Sequence, residues 1–137
     1  MSTTIRPEIS KRNKYWIERH RYYELKHFCL QYKTWKKIYA DLDGLKAVNQ
    51  AIKTNFNMFS KPTENCALIR SFYSERMNMV ENAAKEADFF LSNYILKGVT
   101  EGYSYNYLKS RLNMPCSRDT YYDRYRRFFW ILSKDRQ

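Results

Sequence analysis

Residues that end helices are scarce in this chain, and their scarcity is the feature that most constrains its fold. Three glycines and three prolines occur in 137 residues. Turn-rich β architectures need many such residues, whereas long helices need few. Apolar residues make up 44% of the chain, enough to build a core. We therefore expect an all-α fold, a small multi-helix domain of about five to six helices.

The first half of the chain predicts an arm followed by helices. Residues 1–13 are polar, and we interpret them as a flexible arm. Apolar side chains then recur at steps of three and four, the spacing of one buried helical face. Those residues are Tyr22, Leu25, Cys29, Tyr32, Trp35, Tyr39 and Leu42. Two short helices or one bent helix fit this spacing equally well, and Gly44 is a candidate end.

The middle of the chain predicts a loop and then a central helix. A short helix near residues 45–52 would precede a loop through Asn55, Asn57 and Ser60. A new helix would begin at Pro62-Thr63-Glu64, with Thr63 as its cap, and run to about Glu86. Its apolar residues Leu68, Phe72, Met79 and Ala83 fall near one face, and residues 88–99 form a further apolar segment. The expected organisation is an arm (1–13), a basic aromatic helical unit with a loop (14–61), and a central helix with a C-terminal helix-turn-helix (62–137).

Basic residues exceed acidic ones, and the excess lies at both ends of the chain. Lys and Arg number 25 against 14 Asp and Glu, a formal charge of +11. Residues 1–62 hold 13 basic and five acidic side chains, and residues 97–137 hold nine and four. Residues 63–96, with three basic and five acidic side chains, are slightly acidic. This balance in a small protein favours a polyanionic partner such as nucleic acid.

Residues 100–134 carry the pattern of a helix-turn-helix. Gly102 would end the preceding helix, and Ser104 would cap a short helix over residues 105–112 that turns Tyr105, Leu108 and Leu112 inward. Residues 113–116 would form the turn. Within it, Asn113 tolerates the left-handed conformation, Met114 would fill the core, and Pro115 prevents continuation of the helix.

The helix after this turn is the predicted recognition helix. Ser117 would cap it, and Asp119 in its first turn suits the helix dipole. Tyr121, Tyr125, Phe128 and Leu132 would form its packed face. The residues predicted to contact bases are Ser117, Arg118, Thr120 and Tyr122. The residues predicted to contact phosphates are Arg124, Arg126, Arg127 and Lys134, together with Lys109 and Arg111 of the preceding helix. The alternative is a core helix with a solvated basic face.

Residues 112–127, with the text MPCSRDTYYDRYRR, resemble the C-terminal half of phage late-gene transcriptional activators of the RinA and ArpU type. Those proteins in turn resemble region 4 of sigma factors, whose recognition helix often opens Ser-Arg-Glu; here Ser117, Arg118 and Asp119 stand at those places. The resemblance covers roughly residues 85–134 and implies a sigma-region-4-like helix-turn-helix and transcriptional regulation on double-stranded DNA. The text of residues 14–42 resembles small prophage proteins of Gram-positive bacteria.

The N-terminal segment interleaves aromatic and basic side chains, from Lys14 and Tyr15 to Trp35 and Lys37. Aromatic rings can stack on bases and basic side chains can bind phosphates, so this segment would form a second nucleic-acid surface. The helical spacing of the aromatic residues favours the simpler interpretation, in which they pack inward and the lysines face water.

Other chemistries have little support in the sequence. Cys29, Cys66 and Cys116 are far apart, and His20 and His27 lack a completing ligand, so we expect no metal site, disulfide or cofactor. No catalytic set or phosphate-cradling loop occurs, so we expect no enzyme. No segment of signal-peptide or membrane-spanning character is present, which predicts a location in the cytoplasm of a bacterial host.

The expected function is sequence-specific binding of double-stranded DNA by a phage or prophage regulator. A homodimer is compatible with it, because one recognition helix contacts few base pairs. Two alternatives stay open: a DNA-recognition subunit like a phage small terminase, which would form a ring, and a protein-interaction module that acts on RNA polymerase or another host protein.

Overall fold

The regular structure of the described residues is entirely helical, which confirms the all-α prediction. A computed structural model describes the backbone of residues 12–52 and 62–136 and the side chains of residues 12–42 and 65–136. The helices are α1 (Arg19–Leu30), α2 (Tyr32–Ile52), α3 (Pro62–Ala87), α4 (Ser92–Glu101), α5 (Tyr105–Leu112) and α6 (Arg118–Asp135). Most of the predicted arm and the predicted loop through Asn55, Asn57 and Ser60 lie outside these ranges.

The chain divides into two compact units. The first comprises Met1–Gln31 and Met79–Gln137, and the second comprises Tyr32–Asn78. The predicted boundary between residues 61 and 62 therefore falls inside the second unit. The candidate helix-turn-helix belongs wholly to the first unit, together with α1 and the end of α3.

The core of the first unit forms where α1 and α6 pack on each other and both pack on α4. Tyr22 and Leu25 of α1, Ile95 of α4, and Phe128 and Phe129 of α6 are fully buried there. The ring of Tyr22 meets that of Phe129 edge to face at a centroid distance of 5.1 Å, a favoured geometry for aromatic pairs. Much of the chain's large aromatic content thus builds its core.

Helix α1 is capped by Glu18 at its start and by Gln31 at its end. The first predicted apolar stripe therefore spans two helices, α1 and α2. The Glu18 carboxylate accepts hydrogen bonds from the backbone N–H groups of His20 (2.9 Å) and Arg21 (3.1 Å). The His20 bond is the main cause that lowers the pKa of Glu18. Of the predicted stripe, Tyr22, Leu25, Cys29, Tyr32, Trp35 and Leu42 are buried, and Tyr39 is half-buried.

Two predicted helix boundaries are wrong. Gly44 does not end the second helix, because α2 continues to Ile52. Glycine inside a helix costs only about 1 kcal/mol relative to alanine, so it is a weak stop signal. Thr63 is not the cap of α3, because the helix already begins at Pro62. Proline suits a first helical position, where the missing N–H would have no intrahelical partner.

The predicted apolar face of α3 is buried only toward its C-terminal end. Leu68 and Phe72 are 69% and 47% exposed, whereas Ala83 is fully buried. Within the second unit, the Arg70 guanidinium lies over the Tyr39 ring, 4.9 Å from its centroid, and donates to the Tyr39 hydroxyl.

Candidate nucleic-acid interface

The start of the candidate helix-turn-helix is set by two residues that were predicted for this role, Gly102 and Ser104. Gly102 ends α4 in the left-handed conformation (φ 75°), and its N–H donates to the Gly98 carbonyl. The Ser104 hydroxyl accepts from the backbone N–H of Tyr107 at 3.2 Å and so caps α5. Both predictions are confirmed, as is the extent of α5.

Hydrogen bonds to residues of α5 hold the turn between α5 and α6. Asn113 adopts φ 55° and ψ 42°, the left-handed conformation predicted for it. Met114 is buried, as predicted, and its N–H donates to the Leu108 carbonyl at 3.2 Å. The Tyr105 hydroxyl donates to the carbonyl of Cys116 at 2.8 Å, which ties the end of the turn to the first turn of α5.

Helix α6 begins where the sequence predicts. The Ser117 hydroxyl accepts from the backbone N–H of Thr120 at 3.2 Å and also bonds to the Thr120 hydroxyl at 3.0 Å. Ser117 and Thr120 are exposed, but in this structure their hydroxyls are directed at each other. Asp119 lies in the first turn of the helix, where a negative charge complements the helix dipole.

The buried side of α6 is broader than the predicted stripe. Tyr121, Tyr125, Phe128 and Leu132 are buried as predicted, and so are Tyr122, Phe129 and Ile131. Helix α6 packs against both α1 and α4, and Phe129 meets Tyr22 of α1.

Tyr122 does not lie on the accessible surface where we placed it. Its side chain is 5% exposed. Its ring packs against those of Tyr105, Tyr121 and Tyr125 at centroid distances of 6.4, 5.1 and 5.8 Å. Tyr122 is therefore a core residue, and Arg118 is the exposed residue above it, with its guanidinium 5.4 Å from the Tyr122 centroid.

Arg124 is engaged in ion pairs and is not an open phosphate contact. Its Nε lies 3.0 Å from Asp88 Oδ2, and its Nη1 pairs with Asp123. The hydrogen bond to Asp88 is the main cause that raises the pKa of Arg124. Helical spacing does not predict this pair, because Asp88 lies 36 positions away in the turn before α4.

The other predicted cations differ in their surroundings. Arg126 is half-buried, and its buried Nε has no hydrogen-bond partner among the described residues. Lys134 is exposed, with Nζ 3.3 Å from the Trp130 ring centroid. Lys109 and Arg111 are exposed in the last turn of α5, and Arg127 is half-exposed on the side of α6 opposite Tyr125.

One residue of the basic N-terminal segment has a structural role. Arg21 Nε donates to Ser133 Oγ (3.2 Å), and its Nη2 donates to the carbonyls of Ser133 (3.0 Å) and Arg136. These bonds join α1 to the end of α6. Arg19, two residues earlier, is exposed. Arg21 also pairs with Glu24 on α1, but the sequence alone could not separate these two arginines, because the partners of Arg21 at the end of α6 lie more than 100 positions away.

The titratable residues outside the interface whose side chains are described do not form a metal site. Among residues whose side chains the structure describes, no group of three or more His, Cys, Asp or Glu is arranged to hold a metal ion. Cys29 is buried, and burial raises the pKa of its thiol. No helix in the described ranges has the length and apolar character needed to cross a membrane.

Comparison of the chain with protein-family models, with curated proteins and with solved structures gives no match.

Proposed function

We propose that this protein binds double-stranded DNA in a sequence-specific manner through α5 and α6, as a transcriptional regulator of phage or prophage genes. The observation that carries the proposal is the capped α5–turn–α6 element, in which Asn113 is left-handed and Met114 is buried. This arrangement leaves the N-terminal turn of α6 exposed. In helix-turn-helix proteins that part of the second helix contacts base edges in the major groove.

The accessible basic side chains of α5 and α6 are suited to two different kinds of contact with DNA. Arg118 stands at the start of α6, and an arginine there can make a bidentate contact with guanine. Arg127 and Lys134 farther along α6, with Lys109 and Arg111 at the end of α5, are suited to phosphates. The formal charge of +11 supplies the long-range attraction to DNA.

Two carboxylates on α6 reduce its attraction for phosphates, and one of them could contact a base. Asp119 is exposed in the first turn, where it would repel phosphates but could accept a hydrogen bond from a cytosine amino group. Asp123 neutralises part of the Arg124 charge. Each acid also has a structural role, Asp119 at the helix dipole and Asp123 beside Arg124, so a base contact by Asp119 is what would separate specific from general binding.

A pair of matched double variants tests the proposal. Arg118→Ala with Arg127→Ala removes two charges from the proposed interface, and Lys14→Ala with Arg19→Ala removes two exposed charges near the start of α1. We expect the first pair to weaken duplex affinity at least about tenfold with unchanged circular dichroism. The second pair should have a much smaller effect.

Two results would contradict this assignment. Equal losses from both double variants would mean that binding follows net charge or the N-terminal segment. Unchanged affinity in the Arg118 and Arg127 variant would mean that α6 does not face the DNA.

A further inference from the structure

Two adjacent phenylalanines lie exposed in the turn between α3 and α4. Phe89 is 72% exposed and Phe90 is 90% exposed. Large apolar side chains this open to water often mark a binding site when they cluster. Their rings meet edge to face with centroids 5.9 Å apart, so they form one small aromatic projection.

The backbone that carries this aromatic pair is held in place. Asp88 Oδ1 accepts from the backbone N–H groups of Phe90 (3.0 Å) and Leu91 (3.1 Å). The Ser92 hydroxyl donates to the Phe89 carbonyl at 2.9 Å, and Leu91 is buried. A turn anchored in this way loses little backbone conformational entropy when the two rings bind.

Asp88, which anchors this turn, also forms an ion pair with α6, the proposed recognition helix. Asp88 Oδ2 lies 3.0 Å from Arg124 Nε, in the second turn of α6. The Asp88–Arg124 pair therefore places the α3–α4 turn beside the second turn of α6, at the flank of the proposed DNA surface.

We infer that Phe89 and Phe90 form an aromatic wedge that contacts base steps of the duplex bound by α6. The inference rests on the proposed function. Phenylalanine is one of the side chains that DNA-binding proteins insert between base steps, which partly unstacks them and kinks the duplex. Asp88 would fix the position of the wedge relative to α6.

The size of the patch favours DNA over a second protein. A stable protein interface buries about 800 Å² on each side, more than two phenylalanine rings supply. The neighbours Lys85, Glu86 and Asn93 are polar and exposed, so they do not extend the apolar area. For a wedge at a base step, two rings are sufficient.

The test compares wild type with Phe89→Ala plus Phe90→Ala, using Phe72→Ala as an exposed phenylalanine of the second unit for control. The probe is a duplex from the DNA flanking the gene, with 2-aminopurine placed in turn at successive steps. We expect wild type to raise the fluorescence at one step and the double variant to lose that rise. The double variant should also lose about tenfold in affinity with an unchanged salt slope, because no phosphate contact is removed.

The outcomes separate the wedge from the proposed function. Tight duplex binding by wild type and the double variant alike, with no fluorescence change, overturns the wedge and leaves DNA binding standing. Unchanged duplex affinity with loss of self-association in sedimentation assigns the aromatic pair to a second copy and also overturns the wedge. No duplex binding by wild type overturns both.

Discussion

The Tyr121 hydroxyl occupies the space that a side chain at Gly98 would need. A Cβ atom built on Gly98 would lie 2.2 Å from that oxygen, whereas its next nearest neighbours, on Leu108 and Tyr121, are 3.5 Å away. The hydroxyl is buried and has no hydrogen-bond partner among the described residues. Gly98 thus allows α4 to approach α6 closely behind the candidate recognition surface.

The position of the Tyr121 hydroxyl against Gly98 predicts that removal of this hydroxyl makes an alanine at position 98 tolerable. Gly98→Ala should lower the free energy of unfolding by about 1–3 kcal/mol, as overpacking does. In a Tyr121→Phe background the same change should be neutral or slightly stabilising, because the clashing atom is gone and alanine favours helix. Urea unfolding of the four proteins in the cycle measures the coupling. Equal effects of Gly98→Ala in both backgrounds would show that the hydroxyl is not the obstacle.

Arg21 should matter for stability and Arg19 should not. Arg21→Ala removes the hydrogen bonds that join α1 to Ser133 and Arg136. We expect a loss of about 1–3 kcal/mol, because these bonds involve a charged, mostly buried donor. Arg19→Ala makes the same charge change at an exposed site of α1 and is the control. Thermal unfolding with similar losses for both variants would refute the structural role of Arg21.

The turn before α6 should depend on the left-handed backbone of Asn113. Asn113→Gly should keep the stability of the wild type within about 0.5 kcal/mol, because glycine adopts this conformation readily. Asn113→Ala should cost about 1 kcal/mol, since a Cβ atom disfavours it. Denaturant midpoints measure both variants. An alanine variant as stable as the glycine variant would mean that the turn relaxes to another conformation.

Two buried tyrosines should make the protein sensitive to alkali. The hydroxyls of Tyr22 and Tyr125 are 2.7 Å apart, and burial raises the pKa of Tyr125 well above 10.0. Because the folded state binds this proton more tightly, its stabilisation is complete below pH 10 and is lost as the pH rises further. Unfolding free energies across this range should fall, and should fall less steeply for Tyr125→Phe. Equal slopes would place the titrating group elsewhere.

Features of the site that are set by local sequence were predictable. The caps at Ser104 and Ser117 and the left-handed Asn113 depend on residues two or three positions away, and short-range rules identify them. The burial of Tyr122 and the pairing of Arg124 with Asp88 depend on which helices meet α6, and helical spacing does not encode that. The exposure of Phe89 and Phe90 has the same tertiary origin.

The most direct test of DNA recognition is a salt titration of binding to two duplexes of about 30 base pairs, enough for nearly three helical turns. One carries the DNA that flanks the gene, and the other is a shuffled sequence of equal composition. We predict that the logarithm of the affinity falls linearly with the logarithm of salt concentration on both, and that the flanking DNA is bound at least about 1,000-fold tighter at about 150 mM salt. Weak and equal binding to both duplexes at that salt would contradict sequence-specific recognition by α6 and favour a protein partner.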